Sequence, residues 1–329
     1  MKTGIAAALA LATLALATLA PASALAVESR TGAYLLGTRG MAAGSVPGPG
    51  VYISDSIIYL QSRTRQDISI GGAIVADPSI AALVNLAAVT VVPDMPAFGG
   101  TAALSVVVPY AGVDMDFSGR FLGGPQGATL HDSQDGFGDI AITPTIGWHD
   151  GYWNYSGAIT FFLPTGEYST AEVKPRQGIF DVLSISKNKF AVDPTLAVTW
   201  LNPNIGLEVN GAVGVTVSAI NSATDYQTAP ELHGEVAIGQ HFRSGLLVGA
   251  AGYAYHQLAN DSGSGAEAFQ AAVGAKSLQA TVFGAGPVLG YQAKLGDVGL
   301  NLQGKYFHEF GVRRRLASDV YWLTAALAF

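Results

Sequence analysis

The sequence has no cysteine, little charge and, after residue 26, no long uninterrupted apolar run. The absence of cysteine excludes disulfide bonds and thiolate metal sites. Charged residues make up 12% of the 329 residues, whereas they make up about 25% of a soluble globular domain. That is too little charge to cover a soluble surface. The lack of further runs of about 20 apolar residues disfavours a bundle of transmembrane helices.

What the chain does contain is apolar residues, at 49%, and glycine, with 41 residues. Disorder is excluded, because a disordered chain combines low hydrophobicity with high net charge. The net charge of −7 and the absence of a long basic run also argue against nucleic acid as a partner. The composition therefore indicates a folded protein whose main solvent is not water.

The first 26 residues have the pattern of a secretory signal peptide. Lys2 precedes an alanine- and leucine-rich run over residues 5–20, and small residues follow up to Ala26. A positive start, an apolar centre and a small-residue cleavage site are the three parts of such a signal. We predict a signal peptide at residues 1–26, cleaved after Ala26. The alternative is an N-terminal transmembrane anchor.

From Val51 onward, apolar residues recur at every second position, which is the period of a β-strand. The clearest stretch is 205–217, where Val209 and Val213 alternate with Glu208 and Asn210. The pattern predicts twelve strands, near residues 50–65, 82–93, 100–113, 137–150, 151–165, 189–202, 204–219, 230–243, 245–259, 278–294, 297–311 and 317–329. Residues 66–100 leave room for an extra pair of strands or for a short helix at 78–86.

The connections between these strands alternate in length. Long loops are predicted at residues 66–81, 114–136, 166–188, 220–229 and 260–277, and tight turns at 149–151, 202–204, 243–245 and 296–297. Short turns at one rim and long loops at the other are typical of an outer-membrane barrel with periplasmic termini. We predict an all-β fold, an antiparallel transmembrane β-barrel of about 12 strands over residues 50–329, in the outer membrane of a Gram-negative bacterium. A soluble β-sandwich is the alternative, although it would leave extensive apolar faces in water.

The C-terminal strand carries apolar residues on one face and ends in an aromatic residue. Tyr321, Leu323, Leu327 and Phe329 share this face. The arrangement looks like the insertion signal of outer-membrane proteins, and by that resemblance the barrel assembly machinery is a partner. Aromatic residues near strand ends are predicted to form interfacial girdles in contact with lipid. The tryptophans in such positions are Trp148, Trp153, Trp200 and Trp322.

The segment between the cleavage site and the first strand, residues 27–49, is rich in glycine and proline and has no strand pattern. We predict that it folds into the barrel as a small plug. The alternative is a loose periplasmic tail. Arg39 bears on this choice, because a buried arginine needs an acidic partner. The candidate partners on the lumen face are Glu208, Glu231 and Glu235.

Several blocks of sequence resemble one known family. They are residues 136–149, 162–168, 252–257, 260–265 and 305–310, with 37–40 and 47–52 near the start. Together they are similar to the transporter-like outer-membrane family linked to the meta-pathway of phenol degradation. Members are similar in architecture to fatty-acid and aromatic-hydrocarbon channels. The resemblance implies passage of small hydrophobic or aromatic molecules, but it identifies no binding residues.

The residues are compatible with a passive channel, because no motif for nucleotide binding or ion coupling is present. A lumen lined by aromatic side chains offers hydrophobic solutes a route past lipopolysaccharide. The candidates for this lining are Phe162, Phe283, Phe307 and Tyr291. The charged lumen candidates are Asp193, Glu208, Glu231, His233, Glu235, His241, Lys305 and Glu309. They either set selectivity or form an ion-paired interior network.

Two other functions for a barrel remain open, a narrow general porin for polar solutes and a structural or adhesive role. An enzyme is not predicted, because the chain has neither a G-x-S-x-G nor an H-E-x-x-H motif. Asp132, Asp135 and Asp139 offer oxygen atoms near glycines, but they lack the twelve-residue calcium loop. We therefore predict no metal and no cofactor.

Overall fold

The computed structural model describes residues 32–63, 68–70, 73–120, 126–170, 172–174, 179–181, 183–272 and 275–329. The predicted signal peptide, residues 1–26, and residues 27–31 of the following segment lie outside these ranges. Twelve strands pair in antiparallel fashion around a closed ring. The predicted barrel and its strand number are therefore confirmed.

The strands are β1 Gly50–Arg63, β2 Ala73–Val92, β3 Gly100–Arg120, β4 in two segments, Gln126–Phe137 and Ile140–Asp150, β5 Trp153–Leu163, β6 Ala191–Asn202, β7 Leu207–Ser218, β8 Glu231–His241, β9 Leu246–Gln257, β10 Thr281–Leu295, β11 Val298–Arg313 and β12 Ala317–Ala328. Each strand pairs with its neighbours in sequence, and β1 pairs with β12 to complete the ring. The closed ring has no free strand edge, so each spanning strand has a hydrogen-bonded neighbour on both sides and does not expose its backbone to lipid.

Smaller elements lie outside the ring. Four short strands, Ile68–Ile70, Pro96–Ala97, Glu172–Lys174 and Ile179–Asp181, accompany one helix, α1, at Ser264–Ala272. Among the described residues, no helix has the length and the hydropathy that crossing a membrane requires.

The two faces of the wall differ as the alternation predicts. On β7, Val209, Val213 and Val217 point outward and are 41%, 50% and 50% exposed. On either side of Val209, Glu208 and Asn210 point inward and are buried. On this strand, an apolar outer face opposite a polar inner face is the reverse of the pattern in a soluble protein and is the arrangement that lipid favours.

The prediction of long loops at 66–81 and 114–136 is wrong, because most of the described residues in these ranges are strand. Strand β2 already begins at Ala73, β3 continues to Arg120, and β4 begins at Gln126. Residues 78–86 are strand and not helix. The extended strands pair with each other, as in Met115 with Asp132. This part projects beyond the apolar band, and its described outward residues Asp116, His131, Ser133 and Asp135 are polar and exposed, so the apolar alternation that marks a lipid-facing strand is lost.

The structure has a tight turn at each of the four predicted places, although the turn predicted at 202–204 extends to Gly206, and each turn contains a glycine with positive φ. Gly151, Gly206, Gly245 and Gly296 have φ of 59°, 73°, 87° and 66°. This conformation is nearly free of strain only for glycine. These turns mark the rim that also holds the start of β1 and the end of β12, so the long loops occupy the opposite rim.

Strand β4 is interrupted at residues 138–139, and Asp139 binds the following loop there. Its carboxylate accepts hydrogen bonds from Gly166 N at 3.1 Å, Ser186 Oγ at 2.6 Å and Lys187 N at 2.9 Å. Asp139, one of the three aspartates with oxygen atoms suited to calcium, therefore holds the loop between β5 and β6 against the barrel wall.

A carboxylate lies on the lipid-facing side of β1. Asp55 is exposed between Ile53 and Ile57, which are 46% and 47% exposed. It is four residues from Val51, which pairs with the C-terminal Phe329, and four from Tyr59, so it lies near the middle of the apolar band. Its two oxygens accept hydrogen bonds from Asn85 Nδ2, both at 3.0 Å.

Replacing this polar pair should stabilise the barrel. We expect Asp55→Leu with Asn85→Leu to raise the free energy of unfolding by about 1–2 kcal/mol, because a charged or polar group at the bilayer midplane is destabilising. Denaturant titration in lipid vesicles measures the change. Asp94→Leu is the control, since Asp94 lies in an exposed turn at the rim. Equal effects of the two changes would contradict a midplane position for Asp55.

Candidate functional site in the barrel lumen

Residues 32–49 lie inside the barrel along its inner wall. Gly32 lies against the carboxylate of Glu231, which is at the end of β8 near the long loops. Val46 lies against Gly147, which is near the opposite end of β4. The segment therefore runs through the lumen from the long-loop rim to the short-turn rim.

The wall binds this lumen segment mainly through its backbone. Four of its N–H groups donate to wall side chains: Gly37 to Glu235 at 3.0 Å, Ala42 to Glu208 at 2.5 Å, Ala43 to Asn210 at 3.2 Å and Gly44 to Thr199 at 2.9 Å. The acceptors come from β6, β7 and β8, which form one side of the lumen. Hydrogen bonds that involve charged groups contribute more to stability than neutral ones, so the two carboxylates are the stronger acceptors.

One side chain of the lumen segment, Tyr34, also binds this polar side. Its ring stacks on His233 with 3.7 Å between centroids and 12° between planes. Its hydroxyl donates to Glu235 Oε1 at 2.8 Å. His233 is held in turn by Asp193, whose Oδ2 lies 2.8 Å from His233 Nε2. Asp193 is fully buried and also accepts hydrogen bonds from two threonines, Thr195 and Thr216.

The other side of the lumen is apolar. Its buried side chains are Ile58, Ala237, Ala251, Tyr253, Val288, Phe307, Val320 and Trp322. We call these eight residues the apolar wall. Leu35, Leu36 and Met41 of the lumen segment pack against it. The lumen thus has a polar side that binds the backbone of the segment and an apolar side that contacts its aliphatic side chains.

Charged side chains border the apolar wall. Lys305 Nζ donates to Gly37 O at 2.5 Å and lies 4.2 Å from the centroid of the Trp322 ring. Glu309 accepts hydrogen bonds from Tyr253 at 3.0 Å and forms an ion pair with Arg315 at 3.2 Å. Lys305 and Glu309 are therefore both held by neighbouring groups, Lys305 by the lumen segment and Trp322, and Glu309 by Tyr253 and Arg315.

The predicted charged lumen residues are all inward-facing and form an interior network. His241 pairs with Glu208 at 2.5 Å, His233 pairs with Asp193, and Tyr255 donates to Glu231 at 2.5 Å. Of the two interpretations left open by the sequence, this arrangement corresponds to the paired network. Whether the same groups also set selectivity stays a prediction.

The expectation that Arg39 pairs with a carboxylate is wrong. Its guanidinium donates to Ala43 O at 3.4 Å. The three carboxylates proposed as partners bind backbone N–H groups, histidine or tyrosine hydroxyls instead. Arg39 is only partly buried, so its charge does not require a carboxylate at contact distance.

Two of the four aromatic lining candidates face the lumen. Phe307 belongs to the apolar wall and is 1% exposed. Phe162 pairs with the buried, inward Ala141 and Ala191 and lies on the inner face of β5.

The other two candidates were wrong. Phe283 and Tyr291 point outward and are 41% and 47% exposed. Strand β10 carries apolar residues on both faces, since Val282 and Val288 are the buried ones. Periodicity alone therefore could not assign its inner face.

Several lumen residues were missed by sequence reasoning. Trp322 was assigned to the interfacial girdle, but it is buried inside beside Lys305 and only 5% exposed. The alternation of β12 could have shown that Trp322 points inward, because Tyr321 and Leu323 on either side of it point outward. Asn210 and Thr199 also bind the lumen segment, and both lie on inner faces that the alternation could have identified.

At the long-loop rim, two aspartates organise the loop after β7 and the turn that leads into α1. Asp225 accepts hydrogen bonds from Ser264 N at 3.0 Å and Ser264 Oγ at 2.6 Å, which begins the helix and lowers the pKa of Asp225. Burial raises the pKa of Asp261, although it accepts hydrogen bonds from Tyr226 Oη and Ala229 N. These contacts connect the loop after β7 with the loop after β9.

The residues of the predicted insertion signal lie on the outer surface of the barrel. Tyr321, Leu323 and Phe329 are 50%, 59% and 60% exposed, and Leu327 is half-buried. They continue the apolar band across the junction of β12 with β1. Their role in assembly stays a prediction.

Comparison with known proteins agrees with this architecture. Residues 63–325 match the model of the family described as "Putative MetA-pathway of phenol degradation". The crystal structure of the COG4313 outer membrane channel from Pseudomonas putida F1 is similar in fold, with a TM-score of 0.65 and 14% identity over 87% of this chain and 98% of that chain. A FadL homologue from Pseudomonas aeruginosa aligns with a TM-score of 0.43 and 7% identity over 85% of this chain and 90% of the other. No match exists among curated proteins.

Proposed function

This chain belongs to the phenol-degradation MetA-pathway family, and on that premise we propose that it is an outer-membrane channel for passive uptake of small hydrophobic, aromatic molecules. The observation that carries the proposal is the apolar wall inside the lumen. A general porin encloses a polar, water-filled interior. Here Phe307, Tyr253 and Trp322 form a buried aromatic surface that an apolar solute can follow.

Residues 27–49 act in this proposal as a plug, residues 50–329 as the barrel, and residues 1–26 as a signal peptide removed on export. The contacts of residues 32–49 with both sides of the lumen support the plug. They also count against the general porin, because an open water column needs an unobstructed lumen. Movement of Leu35, Leu36 and Met41 away from the apolar wall would free the surface that a hydrophobic solute needs.

Uptake by whole cells tests the function. A porin-depleted Gram-negative host that expresses the chain is supplied with radiolabelled toluene or radiolabelled arabinose. We expect faster entry of toluene alone, relative to cells with an empty vector. Faster entry of arabinose alone would instead identify a porin. No change in either rate, with the barrel shown to be folded by its heat-dependent gel migration, would favour a structural or adhesive role.

The proposal needs no catalytic step and no cofactor, since the driving force is the concentration gradient of the solute. Its wider partners are membrane lipid on the apolar band, lipopolysaccharide around the long loops and the barrel assembly machinery. The exposed residues Leu196 and Val236, at 67% and 63%, support contact with lipid chains.

The proposed assembly signal gives a further prediction. Phe329→Ala should strongly reduce the amount of barrel in the outer membrane, because it removes the terminal aromatic group while leaving the strand pairing of β12 intact. Phe310→Ala is the matched control, since Phe310 is also outward and 51% exposed but lies far from the terminus. Quantitative blotting of outer-membrane fractions measures both, and equal yields would contradict the signal.

A further inference from the structure

Tyr34 places a phenol group against the lumen wall from within the chain itself. Its ring face lies on His233, and its hydroxyl donates to Glu235 Oε1 at 2.8 Å. A stacking surface recognises the ring, and a hydroxyl acceptor separates a phenol from a plain hydrocarbon. The wall therefore provides one contact for the ring of a phenol, at His233, and one for its hydroxyl, at Glu235.

The stacking surface is fixed by the barrel and not by the lumen segment. Asp193 holds His233 through Nε2, and Thr195 and Thr216 each donate to Asp193 at 2.5 Å. His233 is 2% exposed and Asp193 is fully buried. Because strand residues on β6, β7 and β8 hold these groups, the site stays ordered when Tyr34 leaves.

The acceptor is similarly held. Glu235 lies on β8 two residues from His233, so both side chains point to the same face of the strand. Its Oε1 also accepts the N–H of Gly37 at 3.0 Å. The hydroxyl site and the backbone anchor of the lumen segment therefore share one oxygen atom.

We propose that His233 and Glu235 form a binding site for phenols, and that Tyr34 occupies it as an internal competitor of the solute. The proposal rests on the channel function above and adds a hydroxyl-bearing substrate class and a location. A competitor on a short tether has an effective concentration in the millimolar range. Solute phenol therefore displaces Tyr34 only at comparable concentration, and it binds weakly enough to leave again, as permeation requires.

Removing the competitor tests the site. The full chain with Tyr34→Ala, in detergent micelles, is titrated with 4-fluorophenol and with fluorobenzene while fluorine NMR line broadening reports binding. We expect 4-fluorophenol to bind roughly tenfold more tightly than fluorobenzene, because only the phenol donates to Glu235. Tyr34→Phe is the matched control, since it keeps a ring on His233 and should leave the site filled for both probes.

The acceptor is tested in the same background. Adding Glu235→Leu to Tyr34→Ala removes the acceptor oxygen and should bring the affinity for 4-fluorophenol close to that for fluorobenzene, while the affinity for fluorobenzene changes little. Equal affinities of the two probes for Tyr34→Ala, or a preference that survives Glu235→Leu, would overturn the proposal.

A second variant covers the case in which Tyr34→Ala lets the lumen segment collapse into the site. The chain has no cysteine, so Tyr34→Cys places a single thiol at the same position. We expect 4-fluorophenol to slow labelling of this thiol by a methanethiosulfonate reagent, and fluorobenzene at equal concentration to do so much less. Equal protection by both probes, or none, would count against the site.

These outcomes are separable from failure of the proposed function. Selective binding without faster cellular uptake of toluene or 4-fluorophenol would leave the site standing and overturn the channel. Faster uptake in cells, without selective binding in either variant, would leave the channel standing and overturn the site.

Discussion

Deletion of residues 27–49 should turn a poorly conducting barrel into an ion-conducting pore with a several-fold higher single-channel conductance. The reason is that residues 32–49 contact both sides of the lumen, with four backbone N–H groups bound to β6, β7 and β8 and three aliphatic side chains on the apolar wall. Without the lumen segment, Glu208, Asn210 and Glu235 would face water. Planar bilayer recordings of the purified full and shortened chains measure the effect.

Two controls make this result decisive. The shortened chain must show the heat-dependent gel migration of a folded barrel. A synthetic peptide of residues 32–49 added to the shortened barrel should restore the low conductance, because its backbone can form the same hydrogen bonds. Unchanged conductance in a folded shortened barrel would mean that the lumen segment does not limit ion flow.

The second large effect is expected at Gly37, where the lumen segment lies against Phe307 of the apolar wall. Gly37 has φ of 88°, and an added Cβ would lie 2.9 Å from Phe307 Cε2. The left-handed conformation costs about 1–2 kcal/mol for any residue with a side chain. With the added crowding, Gly37→Ala should weaken docking by about 2 kcal/mol, which is roughly a thirtyfold rise in the undocked population.

Channel recordings also measure this change, as a higher frequency of open events. Gly48→Ala is the matched control within the same segment, because nothing lies within 4 Å of a Cβ added there. The control should behave as the unchanged chain. If the two alanine variants conduct alike, the contact between Gly37 and Phe307 does not hold the lumen segment in place.

The barrel could be predicted from sequence because lipid imposes one rule on every spanning strand. Apart from polar pairs such as Asp55 with Asn85, outward positions are apolar, as at Val209 and Val213, and the alternation with Glu208 and Asn210 therefore reports both the strand and its face. The tight turns were predictable for a similar reason, since a positive φ at Gly151 or Gly245 selects glycine.

This rule applies only to the part of each strand that faces lipid. Residues 114–120 pair with residues 126–136, but the outward side chains described there, such as Asp116, His131 and Asp135, are polar and exposed, so no outward apolar residues mark the strand. On β10 the opposite problem arises, because the inner face packs against apolar groups and is apolar as well. Val282 and Phe283 then look alike in sequence, although they point to opposite sides.

The lumen site was predictable only in part. The carboxylates on β7 and β8 were recognised from their inner-face positions, but their partners were not. Glu208 and Glu235 bind backbone N–H groups, which leave no mark on the sequence of the bound segment. The search for a charged partner therefore led to Arg39, which binds neither.

The same backbone contacts have an evolutionary consequence. The polar side of the lumen binds atoms that every residue except proline carries, so a segment with different side chains can dock with the same hydrogen bonds. Glycine is still required at 37, beside Phe307, and at 44, where the chain approaches β6 closely, and a small residue is required at the buried position 43. Recombination confined to the start of the coding region can therefore exchange the segment as a cassette. A lineage could in this way acquire a new solute preference without altering any strand that must pair within the membrane.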